Sequence, residues 1–229
     1  LYASAGQLLN LNWKWEDIAK HLKINVRESM SALDIKNNLL GVCDQMYLFE
    51  PGDDTTVCVL KAVKPKKVKL FTGPPSHKED DAKVVHELMT NADIRIVSGG
   101  TTSQIVAREL GVEVKSSTEI YDKEVPPIAY IHGINLVTEG VLTLSKTIDR
   151  LKSLSKSLDS NIFKAKDGAS QMAKLLYSAS HIKLLVGRSL NIANAEISFQ
   201  RDLELRLHVI GELEKILVKL GKIVTIEYY

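Results

Sequence analysis

Ile94-Arg95-Ile96-Val97-Ser98-Gly99-Gly100-Thr101-Thr102-Ser103 is the stretch on which the fold reading turns. Ile94 to Val97 is a short β-branched run and reads as a strand. Gly99 to Thr102 reads as a tight turn, and Ser103 to Leu110 as a helix that stops at Gly111. The same order of elements recurs on either side. Upstream, Val68 to Phe71 is a strand, Thr72-Gly73-Pro74-Pro75-Ser76 a loop, and Lys78 to Met89 a helix with acids near its start, as the helix dipole favours. Downstream come a short strand from Val112 to Lys115, then Pro126-Pro127 and an apolar stretch from Ile128 to Val137. A long helix from Glu139 to about Leu158 and a polar connection over 159–167 follow. A helix from Gly168 to Ser180, a strand from Ile182 to Val186, a helix from Leu203 to Leu220 and a strand from Ile223 to Tyr228 complete the pattern. Strands separated by helices predict an α/β fold with a mostly parallel, helix-covered sheet.

The first quarter of the chain reads differently. Trp15, Ile18, Ala19 and Leu22 have helical spacing, and a second helix is expected from about Val26 to Tyr47. Pro51-Gly52-Asp53-Asp54 is a turn, and Thr55 to Val63 reads as a strand. Pro65 breaks that run, so a boundary is placed between residues 1–64 and residues 65–229. The chain opens on Leu1 with no helix-start signal, and more sequence is expected before it.

Across 229 residues, 45% hydrophobic and 25% charged, the composition is that of a globular protein with a packed core. A net charge of +2 gives no global reason to expect nucleic acid. Lys64, Lys66, Lys67 and Lys69 alternate with apolar residues and read as the solvated face of an edge strand. Cys43 and Cys58 are expected to be buried free thiols, in a helix and a strand respectively, of a cytoplasmic protein. No apolar run is long enough for a membrane span, and no signal peptide is visible.

Gly99, Gly100, Thr101 and Thr102 are the first candidates for chemistry. Free N–H groups at a helix start bind anions, glycines let a phosphate approach, and threonines add hydroxyl donors. The run lacks the Gly-Lys-Ser/Thr of a P-loop and the glycine spacing of a dinucleotide fingerprint. A plain strand-to-helix turn capped by threonine remains the alternative. Gly73 lies in a second loop that also follows a strand, and Thr138-Glu139-Gly140 in a third. Ligands in such sheets sit beyond the carboxyl ends of strands, so these loops are expected to face one crevice. Arg108 lies further along the helix, on another face. The six histidines are scattered, and His86-Glu87-Leu88-Met89-Thr90 lacks the second histidine of a zinc-protease motif.

Asp53 and Asp54 offer hard oxygen ligands suited to Mg²⁺ or Mn²⁺, in a turn that leads into a strand. An acidic turn is the simpler reading of those residues by themselves. Gly52-Asp53-Asp54-Thr55-Thr56-Val57 followed by an apolar run resembles the last metal-binding motif of the PPM (type 2C) protein phosphatases. Gly6 to Trp15 is similar to the segment that follows the Ser-Asp-Gly motif of that family. The nearest subgroup is the bacterial stage II sporulation protein E-like phosphatases. Gly73-Pro74-Pro75, Gly99 to Thr102 and Leu136 to Leu144 look like the C-terminal extension carried by some of them.

The resemblance implies that residues 1–64 are the C-terminal remnant of a PPM α/β sandwich and that Asp53 is a direct metal ligand. Asp54 stands where the family has Asn or Asp. Two metal ions in that family activate a water against phosphoserine or phosphothreonine on a protein substrate. The other metal carboxylates fall before Leu1, so this chain alone is expected to be inactive. Residues 65–229 are expected to be a sensor for a phosphorylated or other small anionic ligand, or else a structural domain that forms a homodimer. The polar segment from Gly187 to Arg201 has no role in either reading.

Overall fold

Val68 and Leu70 point to one face of their strand, Lys69 and Phe71 to the other, and that alternation organises two helical layers. The computed structural model describes residues 13–28, 30–50, 54–156, 164–189 and 198–229. The chain divides into two compact units between Lys64 and Pro65.

In the first unit, α1 (Trp15–Asn25) and α2 (Ala32–Met46) pack through Trp13, Ile18, Leu39 and Cys43. The second helix starts later than its apolar pattern predicts. Ser31 Oγ accepts from Asp34 N, and Asp34 Oδ2 accepts from Ser31 N at 2.8 Å, a reciprocal cap that sets the first turn at Ala32. The strand expected over Thr55 to Val63 forms no ladder with any described residue. Val57 and Val59 are half-buried while Cys58 and Leu60 are exposed. The alternation of a strand is therefore present without a neighbour to bond it, and Cys58 is not the buried thiol expected. Lys61 Nζ ties this segment to Met30 O at 2.7 Å.

The second unit is built on a mixed seven-stranded sheet. Its strands are β1 (Lys67–Thr72), β2 (Ile94–Ser98), β3 (Lys115–Ser116), β4 (Ala129–Tyr130), β5 (Leu136–Thr138), β6 (His181–Val186) and β7 (Ile223–Tyr228). The spatial order is β3-β4-β5-β2-β1-β6-β7. All pairs from β5 to β7 are parallel, and only the short β4 runs the other way, antiparallel to both β3 and β5. The apolar stretch from Ile128 to Val137 is thus two short strands.

The helices of this unit are α3 (Asp81–Met89), α4 (Gly100–Leu110), α5 (Val141–Lys156), α6 (Gly168–Ser178) and α7 (Ser198–Lys219). One face of the sheet buries Val68, Leu70, Ile96 and Leu184 under α5, α6 and α7. The other buries Phe71, Val97 and Leu185 under α3 and α4. β1 is central, not an edge. Lys64, Lys66 and Lys67 are solvated, but Lys69 is buried beneath α3, where Glu87 binds it.

Three hydroxyl residues end adjacent strands in register: Thr72 beside Ser98, and Ser98 beside Thr138. All three are buried. They form the floor from which the loops after β1, β2 and β5 rise.

Candidate functional site

The loop after β2 is shorter than the sequence implies. Gly99 N donates to Thr138 O at 2.9 Å, and Gly99 O accepts from Ser103 N at 2.9 Å, so Gly99 is itself the cap of α4. Gly100, Thr101 and Thr102 form the first helical turn, not a turn that precedes the helix. Gly99 has φ +121°, a conformation that L side chains rarely adopt. No side chain caps this end, and the first turn carries no acid. The N–H groups of Gly100, Thr101 and Thr102 have no intrahelical acceptor, as at any helix start.

The loop after β5 leads into α5 in the same way. Gly140 O accepts from Leu144 N at 3.2 Å, which makes Gly140 the cap. Ser98 Oγ and Thr138 Oγ1 each donate to Glu139 O at 2.9 Å and hold the loop onto the strand ends. The two helix starts abut. A Cβ on Gly140 would stand 3.7 Å from Gly99 Cα.

Between them opens a cleft of about 630 Å³, lined by all three loops and by α7. Gly99, Gly100, Thr101, Thr102, Gly140 and Arg206 line it, with Gly73 and Glu139. The candidate anion-site residues of the sequence therefore share one cleft. Thr102 is fully buried there, and its Oγ1 has no hydrogen-bond partner among the described residues. A buried hydroxyl without a partner costs about 1–3 kcal/mol.

Gly73 serves packing more than ligand approach. It has φ +79°, and a Cβ there would meet Arg206 Nη1 at 2.6 Å and Gly187 O at 2.7 Å. Arg206 Nη1 donates to Gly187 O at 3.4 Å. Gly187 N donates to Thr72 O at 3.0 Å, and its own Cβ position is filled by Pro74 O. Backbone thus closes the crevice between β1 and β6, where the strand order reverses, and the open cleft lies over β1, β2 and β5.

Arg108 is turned away from the cleft and binds Asp81 at 2.5 Å and Glu109 at 2.9 Å. Arg206 was not legible as a site residue. It sits inside a long amphipathic helix, far along the chain from the glycines that line the cleft. The polar stretch that the sequence left without a role supplies Gly187, the backbone plug.

The strap before β4 is held against the helices by Arg150, which binds Asp122 at 2.9 Å and also Asp167, the cap of α6. Pro126 of this strap forms part of the cleft wall. Burial pushes the Asp167 carboxyl up, but hydrogen bonds from Ser170 N–H, Arg150 and the Ser170 hydroxyl outweigh it, and the net direction is down.

Comparison with protein-family models, curated proteins and solved structures finds no match for this chain.

For the metal expected at Asp53 and Asp54, Asp53 lies outside the described residues, and Asp54 is exposed. No group of three or more His, Cys, Asp or Glu among the described residues is arranged to hold a metal ion. The described residues do not by themselves fit a binuclear centre, and no chemical step is derived through one. No helix among them is long and apolar enough to cross a membrane.

Proposed function

We propose that residues 65–229 bind a small anionic ligand, of phosphate type, in the cleft over β1, β2 and β5. The binding is regulatory: it acts on a metal-dependent serine/threonine phosphatase of the stage II sporulation protein E-like kind, of which residues 1–64 are the last portion. The phosphatase half of this reading rests on the resemblance around Gly52 to Val57, with Mn²⁺ or Mg²⁺ held by Asp53 and by carboxylates outside this chain.

One observation carries the anion-binding half. The starts of α4 and α5, each on a glycine, meet over one cleft, beside a fully buried Thr102 hydroxyl that lacks a partner among the described residues. Orphan N–H groups and the helix dipole favour a negative charge there. Arg206 also lines the cleft and adds a cation. A simple scaffold would be expected to cap these helices with its own side chains, as Asp167 caps α6.

Calorimetric titration of the 229-residue chain with inorganic phosphate tests this. A hydrogen bond to a charged group contributes about 1.5–3 kcal/mol, so Thr102→Val is expected to weaken phosphate binding roughly 10- to 100-fold. No heat of binding in the wild-type chain, or an unchanged affinity in a folded Thr102→Val, removes the reading.

A further inference from the structure

Two helix starts, not one, converge on the cleft, and a Cβ added to Gly140 would stand 3.7 Å from Gly99 Cα. From this pairing we infer that the ligand is an organic diphosphate, with one phosphoryl group on the start of α4 and the next on the start of α5. The inference rests on the anion-binding reading of the cleft and sharpens it.

The glycines carry the first part of the argument. Gly99 needs its positive φ, but neither Gly100 nor Gly140 has one. A Cβ at Gly100 would meet nothing within 4 Å, and one at Gly140 only an ordinary contact. At Gly100, inside the helix, neither conformation nor packing explains the missing side chain, which gives up the order that alanine would add; Gly140 is a helix cap, a position that accepts glycine. What the absent Cβ atoms leave open is direct approach to the backbone N–H groups of both first turns. Thr102, buried at the third position of α4, also lines the cleft, and its hydroxyl has no partner among the described residues.

Charge gives the second part. Each helix start is equivalent to about half a positive charge, and Arg206 adds a full one. Neither first turn contains an acid to offset this. Glu139, which also lines the cleft, offsets one of these charges, and the balance stays positive, as an anionic ligand requires.

Size gives the third part. At about 630 Å³ the cleft falls within the ~300–1,000 Å³ of sites for organic ligands, more than bare phosphate requires. Pro126, Leu142 and Leu205 offer an apolar wall for the organic portion. Glu139 is exposed beside them, and its carboxylate can accept hydrogen bonds only from a donor, such as a ligand hydroxyl.

The test is calorimetric titration of the whole chain with inorganic phosphate and with pyrophosphate at one fixed salt concentration. Pyrophosphate is expected to bind at least tenfold more tightly than phosphate. Gly140→Ala sets a methyl group between the two helix starts without a clash. It is expected to weaken pyrophosphate at least fivefold and phosphate less than twofold. Gly100→Ala, whose methyl meets no protein atom, serves as the second variant and is expected to weaken both anions. Equal affinity for the two anions, or an equal loss of both in Gly140→Ala, overturns the diphosphate inference and leaves an anion site standing. Binding of neither anion overturns the anion-binding reading together with it.

Discussion

Lys69 lies on the central strand, yet it is among the buried residues of the sheet. Its Nζ donates to Glu87 Oε1 at 2.6 Å and to Glu87 O at 2.7 Å. Lys183 reaches the same carboxylate at 2.8 Å and Glu227 at 2.6 Å. The four charges bridge the part of the sheet that α3 covers only partly. Hydrogen bonds from Lys183 and Lys69 hold the Glu87 carboxyl below the usual glutamate range, against the upward push of burial. A folded value below the unfolded one means stability that is complete above about pH 4.3 and is lost as pH falls through the folded value. Glu87→Gln leaves Lys69 buried beside a neutral amide and is expected to cost about 1–2 kcal/mol near neutral pH, less than a fully buried pair because Glu87 is partly solvated. Urea unfolding should show the gap to wild type narrow as pH falls below the ordinary glutamate range and through the lowered folded value. A gap that stays constant with pH would refute this assignment.

At the scale of elements, the start of α4 sets stability against binding. Gly99 holds φ +121° with Thr102 Oγ1 only 3.0 Å from its Cβ position, so Gly99→Ala is expected to cost about 1–3 kcal/mol in chemical denaturation. Gly100→Ala one position later should have the opposite sign. Its Cβ enters open space in an ordinary helical conformation, so a gain of up to about 1 kcal/mol is expected together with weaker phosphate binding. If both substitutions destabilise the fold equally, the open space at Gly100 serves the fold and not a ligand. α6 provides the contrast. Its start is capped by Asp167, whose Oδ1 accepts from Ser170 N at 3.0 Å, and a Cβ added to Gly168 there would stand 3.1 Å from Ile128. A carboxylate stands where the other two helices leave room for an anion.

For the whole molecule, the strand order decides where a ligand can sit. The chain lays β1 in the middle, builds outward to β2 and β5, and then returns to add β6 and β7 on the other side. Gly187 against Gly73 and Pro74 seals the reversal point, so the cleft moves over by one strand. The other unit is small, and its core rests on Trp13, Ile18, Leu39 and Cys43. On the proposed reading it completes a phosphatase centre with carboxylates from elsewhere. The chain with Mn²⁺ is then expected to show no turnover of a phosphoserine peptide. Metal-dependent turnover that disappears in Asp53→Ala would mean that this chain holds the whole centre.

The alternation of apolar strand and amphipathic helix was legible from residue 67 onward, because periodicity is local and each period reports the face that a core will cover. The three loops at the cleft were legible too, since glycine and threonine after a strand mark a helix start within a few residues. Four features were not. The true start of α4 depends on a bond from Gly99 to Thr138 on a neighbouring strand. Lys69 reads as solvated until Glu87 lies over it. Thr55 to Val63 has the pattern of a strand but no described partner to bond. Arg206 joins the cleft only when α7 crosses over the sheet. Each of these is set by groups distant in sequence, and a hydrogen bond or an ion pair exists only once both partners are in place. Sequence pattern alone determined the periodicity of most elements, and the tertiary structure decided which of them find partners and where they meet, because those bonds need groups distant in sequence.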